Sequence, residues 1–195
     1  MENHILKKAD QLKLEGNHIE AIKLCEKCLL SDLECTLAYE EIGDNYLSLK
    51  EYEKSEKALL YAIKLNANSA NAYYLLGFLY SCLGEWHPSI ENLEKADSIE
   101  KNHPEILRCL GWAYFHSGNR KRGLIVLERA LALNSNDCLF LSDLAICYLH
   151  ERHFGRTIDL LTRAMKIEPD NQKVQQCLKT AWFFHSEFEK KKVSK

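Results

Sequence analysis

Residues 73–96 read YYLLGFLYSCLGEWHPSIENLEKA. Within them Tyr73, Leu76, Gly77 and Tyr80 fall three and four apart, as do Ile90, Leu93 and Ala96, which is the spacing of a helix face rather than of a strand. Between the two runs stands Gly84, a residue that enters the left-handed conformation with which many helices end. The stretch therefore encodes two helices joined by a tight turn.

Outward from this stretch the same unit recurs. Ala9, Gly43, Gly77, Gly111 and Ala145 are 34 residues apart, as are Leu12, Tyr46, Tyr80, Tyr114 and Tyr148, and Cys28, Ala62, Ala96, Ala130 and Ala164. Five units, 2–35, 36–69, 70–103, 104–137 and 138–171, account for 170 of the 195 residues. Gly16, Gly84 and Gly118 mark the turn at position fifteen, where Lys50 and Arg152 stand in the other two units. Pro88 and Pro104 fall at helix starts and Pro169 in a link, so no proline interrupts a helix. Small residues at positions eight and twenty-seven let helices approach closely, and Gly77 is expected to accept Ala but to reject Leu. Residues 172–190 form one more helix, weighted on one side by Val174, Leu178, Ala181, Trp182, Phe184 and Phe188. It is expected to cap the last unit, with 191–195 as a basic tail.

The pattern resembles the tetratricopeptide repeat family. The marks are small apolar residues at seven and eight, Tyr at eleven, and small residues at twenty (Ala21, Ser55, Ser89, Gly123, Thr157). Leu at twenty-four (Leu59, Leu93, Leu127, Leu161), Ala at twenty-seven and Pro169 at thirty-two complete them. The first unit departs from the pattern, with Lys8, Cys25 and Cys28 at places usually held by Leu, Phe and Ala, as end repeats do. The resemblance implies an all-α, right-handed α-solenoid, a superhelix of antiparallel helix pairs with about eleven helices, forming one domain over 1–195. It also implies a concave groove lined by the first helix of each unit, with positions two, five, nine, twelve and thirteen meeting a ligand. Those positions include Asp10 in the first unit, Glu40 and Asp44 in the second, and Tyr74 and Phe78 in the third. In the fourth they include Arg108, Trp112, Phe115 and His116, and in the fifth Ile146, Leu149 and His150. The groove is thus expected to be acidic at first, then aromatic and aliphatic.

Composition limits the partner. Lys and Arg total 26 against 28 Asp and Glu, a net charge of −2, so neither nucleic acid nor an anionic membrane is indicated. No run of 18 apolar residues is present, and Met1 to Lys8 lacks the apolar stretch of a signal peptide, so a cytoplasmic protein is expected. In a reducing compartment the 8 Cys are free thiols. Cys25 and Cys28 form a Cys-x-x-Cys, but they sit at packing positions twenty-four and twenty-seven without a second pair, and they are expected in the core. His150 and His153 are three apart where a zinc-protease helix needs four. His116 and His150 share position thirteen and are expected to line the groove rather than bind metal. Phosphate-binding glycine loops and nucleophile elbows are absent, and no enzyme activity, cofactor or metal is expected.

The family's clamp for the C-terminal carboxylate of heat-shock chaperones needs Lys, Asn and Arg at set positions. Starting from the second unit, Glu40, Asp44, Leu75, Glu105 and Cys109 stand there, and starts from the first or third unit fare no better. What remains is an interaction module that binds an apolar peptide or helix of a partner protein in its concave groove. The alternatives are a self-associating scaffold subunit, and a secretion or export chaperone; homo-oligomerisation is allowed but not indicated.

Overall fold

The computed structural model describes residues 2–193, which form eleven helices and no strand. They are α1 (Glu2–Leu14), α2 (His18–Leu29), α3 (Thr36–Ser48), α4 (Tyr52–Leu65), α5 (Ala70–Leu83) and α6 (Trp86–Ile99), followed by α7 (Pro104–His116), α8 (Arg120–Leu133), α9 (Cys138–His150), α10 (Phe154–Ile167) and α11 (Gln172–Val193). The chain divides into two compact units, Met1–Lys101 with α1 to α6 and Asn102–Lys195 with α7 to α11. In the first, α1/α2, α3/α4 and α5/α6 pack as pairs, α2 lies on α3 and α4 on α5, and α1, α3 and α5 form a row. In the second, α7/α8 and α9/α10 are the pairs, α11 lies on α10, and α7, α9 and α11 form the row. Among the described residues no helix is long and apolar enough to cross a membrane.

Four of the five helix pairs close on one leucine and one small residue. Leu59, Leu93, Leu127 and Leu161 are buried, the first three against Gly43, Gly77 and Gly111. A Cβ added at Gly77 would stand 2.6 Å from Cγ of the buried Leu93, and one at Gly111 would stand 2.9 Å from the backbone N of Leu127. An Ala at Gly77 would therefore force Leu93 to shift: contact begins at the first carbon, and the atom met is the branch point of a packed side chain. Position twenty adds a polar tie. The buried Ser55 hydroxyl donates to the Gly43 carbonyl of the facing helix at 2.7 Å, and the Thr157 hydroxyl donates to the Ala145 carbonyl of its facing helix at 3.5 Å.

All five turns between paired helices pass through the left-handed region. Gly16, Gly84 and Gly118 have φ of 79°, 75° and 97°, and Lys50 and Arg152 adopt 60° despite their side chains. α11 differs from the sequence expectation. Its inner side is Val174 and Ala181, with Cys177 and Leu178 partly covered, whereas Trp182, Phe184 and Phe188 are 54%, 47% and 50% exposed. At about 100° per residue Trp182 lies roughly a quarter turn off the packed line. Phe184 and Phe188 lie beside the ring of Phe154, at 6.3 and 5.8 Å. The helix continues through 191–193, where a tail was expected; Ser194 and Lys195 lie outside the described residues.

Candidate partner-binding faces

In the first unit the row of α1, α3 and α5 is joined by charge. Lys13, near the end of α1, places Nζ 3.0 Å from Glu41 Oε2 and 3.0 Å from Asp44 Oδ2 on α3, and 3.2 Å from Asp10 Oδ1 on its own helix. Burial works against the Lys13 ammonium, yet the hydrogen bonds and charges of Asp44 and Glu41 hold it above its usual range. Burial also pushes the Glu41 carboxyl up, against the pull of Lys13. Three carboxylates around one cation leave this face acidic. Leu14 and Leu37, 80% and 60% exposed, stand at the end of α1 and the start of α3.

Glu40, expected among the groove acids, is 5% exposed. Its carboxylate accepts from Ser69 Oγ at 2.5 Å and Asn71 Nδ2 at 2.8 Å, while Ser69 Oγ accepts from the Ala72 backbone N–H in the first turn of α5. Glu40 therefore fastens α3 to the start of α5 rather than facing a ligand. On α5, Tyr74 and Phe78 are half-buried, with nearly parallel rings 6.5 Å apart.

In the second unit Arg108 Nη1 on α7 donates to Asp143 Oδ2 on α9 at 2.7 Å, and its Nε donates to Glu105 Oε2 at 2.9 Å. Both ends of the Arg108–Asp143 pair are nearly covered, and burial pushes the Asp143 carboxyl up against the attraction of Arg108. The guanidinium also lies 5.6 Å from the centre of the Phe140 ring. Arg108 thus locks two first helices together.

Phe115, expected on the groove surface, is 4% exposed and belongs to the core. The cause is Gly123: a Cβ there would come within 2.6 Å of the Phe115 backbone N, so α7 and α8 approach at backbone distance and the end of α7 is enclosed. Trp112 remains half-buried, with its ring 4.4 Å from that of His116. Burial lowers the His116 pKa, and the charges of His150 and Arg120 lower it further. Ile146 and Leu149 are half-buried and His150 is exposed, with its ring 6.1 Å from Phe115. Glu41 and Asp143 were missed as site residues. The available signal was an acid at position six of one unit with a cation on the first helix of the unit before it.

The thiols of Cys25 and Cys28 are fully buried, and burial pushes Cys25 up to about 12. Among the described residues no group of three or more His, Cys, Asp or Glu is placed to hold a metal ion.

Paired helices with a small residue under a leucine, repeated along the chain, define an all-α helical repeat protein. Residues 37–69 and 70–103 match the family model of the tetratricopeptide repeat. Two of the five units thus match that repeat, and the chain shares the helical-repeat fold of solved tetratricopeptide repeat proteins. It is similar in structure to TTC0263, a thermophilic tetratricopeptide repeat protein of Thermus thermophilus, at 18% identity with a TM-score of 0.81 over 94% of this chain and 100% of that one. It also resembles a chain of the Cut9–Hcn1 hetero-tetramer of APC/C, at 21% identity with a TM-score of 0.87 over 93% of this chain and 36% of that one. A third likeness is to YrrB, a tetratricopeptide repeat protein with an unusual peptide-binding site, at 17% identity with a TM-score of 0.66 over 90% of each chain. A search of curated protein sequences finds no match. The fold supports a protein–protein interaction module.

Proposed function

We propose that the chain is a non-catalytic interaction module whose first-position helices receive an apolar peptide or helix of a partner protein. The observation that carries the reading is Trp112. It lies half-buried on the row of α7 and α9, beside the Arg108–Asp143 pair that fixes those helices against each other. A rigid support under a partly exposed indole suits an anchoring contact, since an aromatic side chain gains most when a partner removes its remaining surface from water. Tyr74 and Phe78 supply a comparable pair of rings on α5 of the first unit.

The test is a peptide library selected on the wild-type chain, with the enriched peptides titrated against Trp112→Ala by fluorescence anisotropy. Loss of an anchor of this kind weakens binding by about 2 kcal/mol, roughly thirtyfold, while circular dichroism shows unchanged helix content. Peptides that ignore Trp112→Ala and Phe78→Ala alike would move the binding surface elsewhere.

A further inference from the structure

The charge of the chain is divided unevenly between its compact units. Residues 1–101 hold 11 Lys and no Arg against 18 acidic residues, a net of −7, whereas residues 102–195 hold 8 Lys and 7 Arg against 10 acidic residues, a net of +5. On the first unit Asp10, Glu41 and Asp44 surround Lys13 and leave a local excess of acid, and Leu37 stands exposed on the same helix as Asp44. On the second unit the counterpart is the outward side of α11. Lys179, Trp182, Phe183, Ser186 and Lys190 recur there at the spacing of one helix face, and Phe183 is 60% exposed. α11 has 22 residues against 13 or 14 in the other first-position helices, so it extends by about 12 Å more.

We propose that α11 of one copy of this chain docks on the α1–α3 face of a second copy, with Phe183 against Leu37 and Lys190 against Asp44. The two pairs match in register: Phe183 and Lys190 are seven residues apart, as are Leu37 and Asp44, and each pair spans about 10 Å along its helix. The mode is a helix carrying apolar and basic groups laid on an acid-rimmed apolar face. The inference rests on the reading that the first-position helices form docking surfaces, and it names an occupant for the first unit's face. An anionic membrane is the less favoured partner for α11, because Glu187 and Glu189 stand among its lysines while the acidic face that fits them is present in the same chain.

Sedimentation velocity of the full chain, from micromolar to several hundred micromolar, tests this. In low salt the average mass should rise with concentration above that of the monomer, and 0.5 M NaCl should weaken the association at least tenfold, because exposed ion pairs are screened. Two double variants remove one surface each: Asp10→Lys with Leu37→Lys, and Phe183→Glu with Lys190→Glu. All four positions are exposed, so helix content should be unchanged. Each variant alone should be monomeric, and an equimolar mixture should form a heterodimer and nothing larger, because each partner contributes one intact surface. A wild-type chain that stays monomeric, a mixture that stays monomeric, or variants that associate like the wild type would each overturn the proposal. So would a monomer that sediments with phosphatidylserine vesicles and loses this in Phe183→Glu with Lys190→Glu. Trp112→Ala should leave self-association unchanged, so loss of peptide binding in that variant and loss of association in the others report separately.

Discussion

Gly77 and Gly111 occupy the same place in successive repeats, yet they differ in what a methyl group would strike. At Gly77 the nearest atoms belong to the Leu93 side chain, with the Ser89 carbonyl at 3.1 Å. At Gly111 two of the three nearest are backbone, the Leu127 N at 2.9 Å and the Gly123 O at 3.0 Å. A side chain can change rotamer, whereas two helix backbones separate only together. Gly111→Ala should therefore destabilise by about 1–3 kcal/mol and Gly77→Ala by less, read as shifts in the urea midpoint at constant slope. Equal midpoints for the two variants would show that the leucine, not the backbone, sets the tolerance. The same scale explains two errors of sequence reading. Position numbers placed Glu40 and Phe115 on the ligand side, but Glu40 turns to Ser69 and Asn71, and Phe115 is enclosed because Gly123 brings α8 against its backbone. Repeat position alone indicated neither contact, since Asn71 belongs to the next unit and Gly123 reads only as a small residue at position twenty.

Helices and their turns were the most legible part of the chain. Spacing of three and four marked both helices of a unit, and glycine at position fifteen marked the turn in three units of five. The other two turns have the same left-handed geometry with Lys50 and Arg152, which the 34-residue register indicated and the residue types did not. A side chain in that conformation costs about 1–2 kcal/mol relative to glycine, partly offset by the greater freedom of glycine in the unfolded chain. Lys50→Gly should thus stabilise by about 0.5–1 kcal/mol. Thermal and urea unfolding check this, and a loss of stability would show that Lys50 makes a compensating contact. For α11 the apolar count was correct but the direction of its rings was not. The packed line through Val174, Cys177 and Ala181 follows from contact with α10, and composition alone cannot say which flank of a helix with this many aromatics turns inward.

At the scale of the whole molecule, the repeat register predicted which helices would lie side by side, and the overall charge of −2 concealed an acidic unit and a basic one. The ion pairs that fix the two candidate faces, Lys13 with Glu41 and Asp44 and Arg108 with Asp143, join residues 28 to 35 apart in sequence and emerge only once first helices are neighbours. The confinement of every arginine to residues 108–163 has a practical consequence for dissecting the protein. A protease that cleaves only after arginine has no site in the first compact unit. Arg108 is shielded within its ion pair, whereas Arg120 and Arg152 are exposed at the start of α8 and in the turn before α10. Brief digestion of the native chain should therefore release amino-terminal fragments ending at one of those two residues, with all of residues 1–101 intact, and mass spectrometry would identify them directly. Cleavage at Arg108 ahead of both would show that the α7–α9 tie opens readily. Otherwise the acidic part of the molecule can be isolated for study without engineering a boundary into it.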